Sequence, residues 1–209
     1  MVLVSHRYKF IYLKNFKVAG SSVESFFGQY CVDPASTYSF DDVQEMDVSS
    51  FGILGTRLVK NKKWYNHMSA YEIRRNLGAE QFNAYYKFCV VRNPYDVVVS
   101  AYFYSRSPDD FKTFCKRYKN QFAENNGPRL LLDGVPVCQY YIRYENLLED
   151  MKVVLAALGI TNYDLDKLPR HKSGTRIDKR HYRDYYDEET RRIVYDLFRL
   201  EFTMFGYTF

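Results

Sequence analysis

Apolar positions along the chain fall into short blocks that alternate between strand-like runs and helical spacing. Residues 8–13 (YKFIYL) are aromatic and β-branched and too few for a buried helix, which predicts a strand. The segment 14–20 (KNFKVAG) leads from it into 21–30 (SSVESFFGQY), a predicted helix with Ser21 or Ser22 as cap and Glu24 in its first turn. Ser69 and Glu72 have capping-box spacing for a second helix that stops at Gly78, with His67 just ahead of the cap. A second strand covers 86–91 (YKFCVV), and Arg92, Asn93 and Pro94 follow it as exit residue, cap and first helical residue. That helix continues over 95–104, a further one starts at Ser107 and Pro108 and runs to 122, and 137–143 (VCQYYIR) makes a third strand. Residues 145–158 are amphipathic and close at Gly159; 170–175 form a polar loop; 187–202 form a long terminal helix.

Strands alternating with helices predict an α/β fold whose central parallel sheet is covered on both faces. In such sheets ligands bind beyond the carboxyl ends of the strands. Residues 14–22 and 92–100 both leave a predicted strand and enter a helix, so candidate chemistry concentrates there.

Composition narrows the classes. With 209 residues, 46% of them hydrophobic, and no repeat or low-complexity stretch, the chain is expected to form one domain over 1–209 with a real core. A formal net charge of +5 favours anionic ligands, among them nucleotides, sulfated sugars and nucleic acid. Cys31, Cys89, Cys115 and Cys138 stand singly and read as small buried hydrophobes, and the four histidines lack ligand spacing, so no metal is expected. No segment reaches the ~20 apolar residues of a membrane span, and the protein is expected to be soluble and cytoplasmic, with no membrane partner. The basic run Lys60, Lys62, Lys63 beside Trp64 is short and isolated, which fits a solvated turn better than a nucleic-acid site.

The segment Lys17, Val18, Ala19, Gly20, Ser21, Ser22 has the features of an anion cradle, because backbone N–H groups at a helix N-terminus face the ligand and small residues permit close approach. It is not a Walker A loop, since the lysine precedes the glycine. The run YLKNFKVAGSSVESFF (12–27) resembles the 5′-phosphosulfate loop of carbohydrate-type sulfotransferases, usually PKTGGTS or a close variant. FCVVRNPYDVVVSAYF (88–103) resembles their 3′-phosphate motif, an arginine after a strand with a serine eight positions later. HMSAYEIRRNLG, RYENLLED and YYDEETRRIVYDLFRLEFTMFGY extend the resemblance over nearly the whole chain. It departs at Phe16, where the family usually has proline, and at Val18 and Ala19, which replace Thr and Gly.

This resemblance implies a three-layer α/β/α, P-loop NTPase-like fold and transfer of a sulfuryl group from 3′-phosphoadenosine 5′-phosphosulfate (PAPS), without a metal, to the hydroxyl of a carbohydrate acceptor. It implies that Lys17 contacts the phosphosulfate bridge, that Val18, Ala19 and Gly20 belong to a nucleotide-binding cradle which Ser21 and Ser22 finish, and that Arg92 and Ser100 grip the 3′-phosphate. Lys172, Ser173, Gly174 and Thr175, with Arg176 adding charge, match a late loop that folds over the nucleotide. His67 is the candidate general base and Glu72 the reserve, as different members use a histidine or a glutamate there. Eukaryotic members usually carry a Golgi anchor, so the expectation is a bacterial or viral enzyme or a trimmed catalytic domain. A P-loop-like nucleotide kinase would need a Walker A lysine and a magnesium-holding carboxylate, neither of which is evident. A non-catalytic nucleotide-binding domain is the other alternative, and Lys17 and His67 beside Arg92 and Ser100 argue against it.

Overall fold

The first thirteen residues make a hairpin rather than one strand: β1 (Leu3–Ser5) runs antiparallel to β2 (Phe10–Leu13), with Val4 opposite Ile11. Tyr8 and Lys9, expected in the strand, belong to the turn, where Ser5 Oγ accepts from the Tyr8 amide at 3.2 Å and Lys9 has a φ of 52°. The computed structural model describes residues 1–40, 47–56, 62–121, 126–169, 176–178 and 180–209. After the hairpin come α1 (Gly20–Gly28), β3 (Asp47–Val48), β4 (Gly52–Leu54), α2 (Ala70–Leu77), α3 (Ala79–Ala84), β5 (Tyr86–Val91), α4 (Pro94–Ser105), α5 (Phe111–Gln121) and α6 (Gly127–Leu130). A small hairpin, β6 (Leu131–Leu132) with β7 (Val135–Pro136), precedes β8 (Tyr140–Arg143), α7 (Leu147–Ala157), α8 (Glu188–Leu197) and α9 (Arg199–Phe205).

The α/β class holds, but the main sheet is mixed. Its order is β3-β4-β1-β2-β5-β8; β2, β5 and β8 are parallel, whereas β1, β3 and β4 join antiparallel. Connection length accounts for the β1–β2 and β3–β4 pairs, because a turn of a few residues permits only an antiparallel return and a parallel crossover needs a dozen or more. Residues 14–85 and 92–139 supply such crossovers between the parallel strands.

The chain packs as two compact units, Met1–Val91 with Pro128–His171, and Arg92–Gly127 with Lys172–Phe209. In the first, Phe10, Tyr12 and Phe88 share one face of the sheet, where Phe27 of α1 meets Phe10 and Phe88 at 5.7 and 4.7 Å between ring centroids. Lys87 points to the opposite face, and its ammonium donates to the Phe82 and Tyr85 carbonyls at the end of α3, where helix carbonyls favour a cation. Gly52 lies so close to other main chain that an added Cβ would stand 2.3 Å from Val4 O and 2.6 Å from Cys31 O. Ser69 and Glu72 do form the capping box of α2, and Gly78 ends it.

In the second unit, Asn93 caps α4 by accepting from the Tyr95 amide, and Pro94 is its first residue, as the sequence predicts. Residues 107–110 stay outside α5, because Asp110 accepts from Thr113 N and caps the helix three residues later than expected. The expected single terminal helix divides at the buried Phe198 into α8 and α9. Tyr95 is enclosed by Tyr186, Phe202 and Phe209 at 5.1, 5.1 and 4.9 Å. Among the described residues no helix is long and apolar enough to cross a membrane.

Candidate functional site

The segment leaving β2 is pinned before it reaches α1. Asn15, fully buried, donates from Nδ2 to the Val90 carbonyl of β5 at 2.9 Å, and the Lys14 ammonium lies 2.5 Å from the buried Glu24 carboxylate on α1. Between these anchors and the helix, Lys17 and Ala19 take left-handed backbone, with φ of 57° and 59°. Ala19 caps α1, ahead of the predicted Ser21 or Ser22 cap, and its methyl accepts no hydrogen bond. The helix begins early because the left-handed Ala19 already turns the chain, so that Ser22 N reaches Ala19 O at 3.0 Å. First-turn N–H groups without a side-chain cap are the donors a helix N-terminus offers an anion. Gly20 is favoured by proximity, since a Cβ there would press on Tyr12 Oη at 3.0 Å and Lys14 Cγ at 3.2 Å.

His67 joins this loop from the chain ahead of α2. Its Nδ1 lies 3.0 Å from the Lys14 carbonyl oxygen, and its ring stacks on Phe16 at 3.9 Å with 20° between planes. The residue is also left-handed, with φ 60°, and its carbonyl accepts from Arg129 Nη1 at 3.2 Å. Three left-handed residues other than glycine, Lys17, Ala19 and His67, thus sit around one loop, each at a cost of about 1 kcal/mol. Burial, reinforced by the Lys14 ammonium and the Arg129 guanidinium, lowers the His67 imidazolium pKa to about 3, against the contrary pull of the Lys14 carbonyl. The ring is therefore neutral at physiological pH.

Glu72, the reserve base, is committed elsewhere. Its carboxylate accepts from Ser69 N at 3.0 Å, from Ser69 Oγ at 2.7 Å and from the Tyr65 hydroxyl. Burial works to raise its pKa, but these hydrogen bonds outweigh it and hold the carboxyl below the usual range. Trp64 is buried, which removes it as a stacking surface for a nucleobase.

In the second unit Arg92 opens the way into α4, and both its Nε and Nη2 donate to Asp96 Oδ2 at 2.9 and 2.7 Å. Arg176 Nη1 reaches the other oxygen, Oδ1, at 3.3 Å, so one carboxylate holds two guanidinium groups. Ser100 lies half-buried two turns along α4, beyond the buried Val97, Val98 and Val99. Lys172, Ser173, Gly174 and Thr175 lie outside the described residues. The loop that carries Lys17 is thereby in contact with His67 in the first unit, through Lys14 and Phe16, and Arg92 stands with Asp96 and Arg176 in the second.

Sequence reasoning passed over three of these groups. Asp96 had a visible signal, its i,i+4 spacing from Arg92, and Phe16 was visible only as a departure from proline. Arg129 had none, being 62 residues from the histidine whose carbonyl it holds.

Residues 1–131, well over half of the chain, match the family model described as the Sulfotransferase family. The chain belongs to the sulfotransferase family. The matched span of this sulfotransferase includes the Lys17 loop, His67, Arg92 and Ser100, and it ends just past Arg129. The chain is also similar to an "Uncharacterized protein" of Archaeoglobus fulgidus, 32% identical over 106 residues that cover 44% of this chain and 83% of the relative. No solved structure matches it.

Proposed function

We propose that this sulfotransferase takes its sulfuryl group from PAPS and passes it to a hydroxyl of a carbohydrate acceptor. The observation that carries this reading is the union of the Lys17 loop with His67 through the Lys14 carbonyl and the Phe16 ring. On this reading the cation for the leaving group and the neutral base for the incoming hydroxyl come from neighbouring segments. In this reading the chain acts as one sulfotransferase domain over 1–209, of three-layer, P-loop-like type, and needs no metal.

In the proposed reaction the acceptor oxygen attacks sulfur as the bond from sulfur to the bridging phosphate oxygen breaks. Lys17 neutralises the charge that grows on that oxygen, and the N–H groups of residues 18–22 hold the 5′ end. The hydroxyl proton passes to His67, and the products are a sulfate ester and adenosine 3′,5′-bisphosphate. Arg92 and Ser100 hold the 3′-phosphate, the group that sets this donor apart from ATP, with a guanidinium fork suited to two phosphate oxygens. Lys172, Ser173, Gly174 and Thr175 are assigned to the nucleotide by resemblance alone.

The test is transfer of labelled sulfate from PAPS to a panel of glycans and small alcohols. Label should move to a glycan hydroxyl and require Lys17. Label that stays on the nucleotide with every acceptor would sink the proposed donor chemistry, and label on small alcohols alone would sink the carbohydrate assignment.

A further inference from the structure

The His67 ring is held from three directions, and two of the groups that hold it have no part in the chemistry assigned above. Its edge meets the Lys14 carbonyl through Nδ1, its face lies on Phe16, and its own backbone carbonyl is fixed by Arg129. The Arg129 guanidinium also lies against Phe16, 4.5 Å from the ring centroid, so Phe16 is in contact with both groups. A carbonyl oxygen only accepts, so the nitrogen that meets Lys14 is the one that carries the proton. Nε2 is then the basic nitrogen, and it has no hydrogen-bond partner among the described residues.

We propose that Phe16 and Arg129 are positioning residues that hold His67 as the Nδ1-protonated tautomer, leaving Nε2 as the atom that receives the acceptor proton. The inference rests on the proposed role of His67 as the base. A single hydrogen bond to Lys14 leaves the imidazole free to swing about its donor. The stack on Phe16, 3.9 Å between centroids and 20° between planes, removes that freedom by fixing the ring plane. Arg129 contributes differently: it holds His67 in its left-handed backbone and places a permanent cation on the Phe16 ring, an arrangement that disfavours a second cation on the imidazole.

The experiment reads the tautomer directly. In protein labelled with nitrogen-15, long-range proton–nitrogen correlation distinguishes a protonated ring nitrogen from a bare one, and His67→Gln identifies the signal. At pH 7 the intact protein and Phe16→Tyr should show protonated Nδ1 and bare Nε2, and Phe16→Leu should show both tautomers. Turnover of Phe16→Leu should fall roughly ten- to a hundredfold, a share of what a general base supplies. Its affinity for adenosine 3′,5′-bisphosphate should not change, and Phe16→Tyr should restore the rate. Protonated Nε2 in the intact protein overturns the proposal even if Phe16→Leu does not fold. A folded Phe16→Leu with unchanged tautomer and turnover overturns it as well. Full turnover in His67→Ala overturns the base itself and with it the link from Phe16 to rate, whereas loss of turnover in His67→Ala together with protonated Nε2 in the intact protein overturns the positioning alone.

Discussion

Arg92 and Asp96 are joined at both ends of the guanidinium edge, Nε and Nη2 converging on one carboxylate oxygen one helical turn away. Their side chains are 11% and 16% exposed, so the pair is partly shielded from water and its geometry is set by the start of α4. An arginine proposed to grip a phosphate is therefore oriented by a group of the same sign as the phosphate. Asp96→Asn keeps an oxygen for Arg92 and removes the repulsion, and it should bind adenosine 3′,5′-bisphosphate several-fold more tightly, with AMP unchanged. Asp96→Ala loses the orientation and should bind the bisphosphate more weakly. In the unaltered protein the bisphosphate should be preferred to AMP by at least about tenfold, since charged hydrogen bonds contribute about 1.5–3 kcal/mol each. Calorimetry with both nucleotides decides the matter, and equal affinity for the two would remove Arg92 and Ser100 from the 3′-phosphate.

In the proposed mechanism Lys17 and Arg92 are asked for different things, one to act on charge that develops during transfer and the other to hold charge already present. Lys17→Ala should lower kcat with little change in donor affinity, and Arg92→Ala should raise the apparent donor KM. If Lys17→Ala affected only donor affinity, its catalytic role would be wrong.

Ala19 holds a φ of 59° where the family usually has glycine. Ala19→Gly should relieve about 1 kcal/mol of backbone strain, partly offset by the greater freedom of the unfolded chain, for a net gain of a few tenths. Ala19→Val places a branched side chain in the same conformation and should lose about 1–2 kcal/mol. Gly52→Ala must push two carbonyl oxygens of the main chain apart and should lose about 3 kcal/mol or more. Urea unfolding should rank Ala19→Gly as the most stable of the three variants, Ala19→Val next and Gly52→Ala last, and a destabilised Ala19→Gly would contradict the strain.

The parts legible in the sequence were those that local chemistry fixes. The Ser69–Glu72 box, the β5 strand and the Asn93–Pro94 entry to α4 appear where residue type and spacing place them, because each is decided within a few residues. The cap of α1 was placed at the serines, since side-chain preference cannot anticipate a chain already turned by Ala19. The antiparallel wing was hidden because β1, β3 and β4 are two or three residues long, too short to show periodicity. The surroundings of His67 depend on Lys14 and Arg129, 53 and 62 residues away, and no local pattern reports such a meeting.

The imidazolium pKa of His67 gives the last prediction its sign. Folding lowers it to about 3 from an unfolded value near 6.5, so between these pH values the unfolded chain binds a proton that the folded one does not. Stability should therefore fall as pH drops from 6.5 toward 3, with a slope from this group of at most about 1.4 kcal/mol per pH unit, and His67→Gln should flatten that part of the curve. A base so hard to protonate accepts a proton poorly, and proton transfer is best when the pKa lies near the working pH. The donor supplies the remedy in the proposed mechanism, for a polyanion in the Lys17 loop, next to the Phe16 on which His67 stacks, offsets the Lys14 and Arg129 charges and favours the imidazolium. Adenosine 3′,5′-bisphosphate should accordingly raise the His67 pKa, and a titration of its ring signals with and without the nucleotide measures this. The acid limb of kcat against pH should then lie above the pKa of the nucleotide-free protein and vanish in His67→Ala. A nucleotide that binds tightly and leaves the His67 titration where it was would place the anion away from the ring and end the case for His67 as the base.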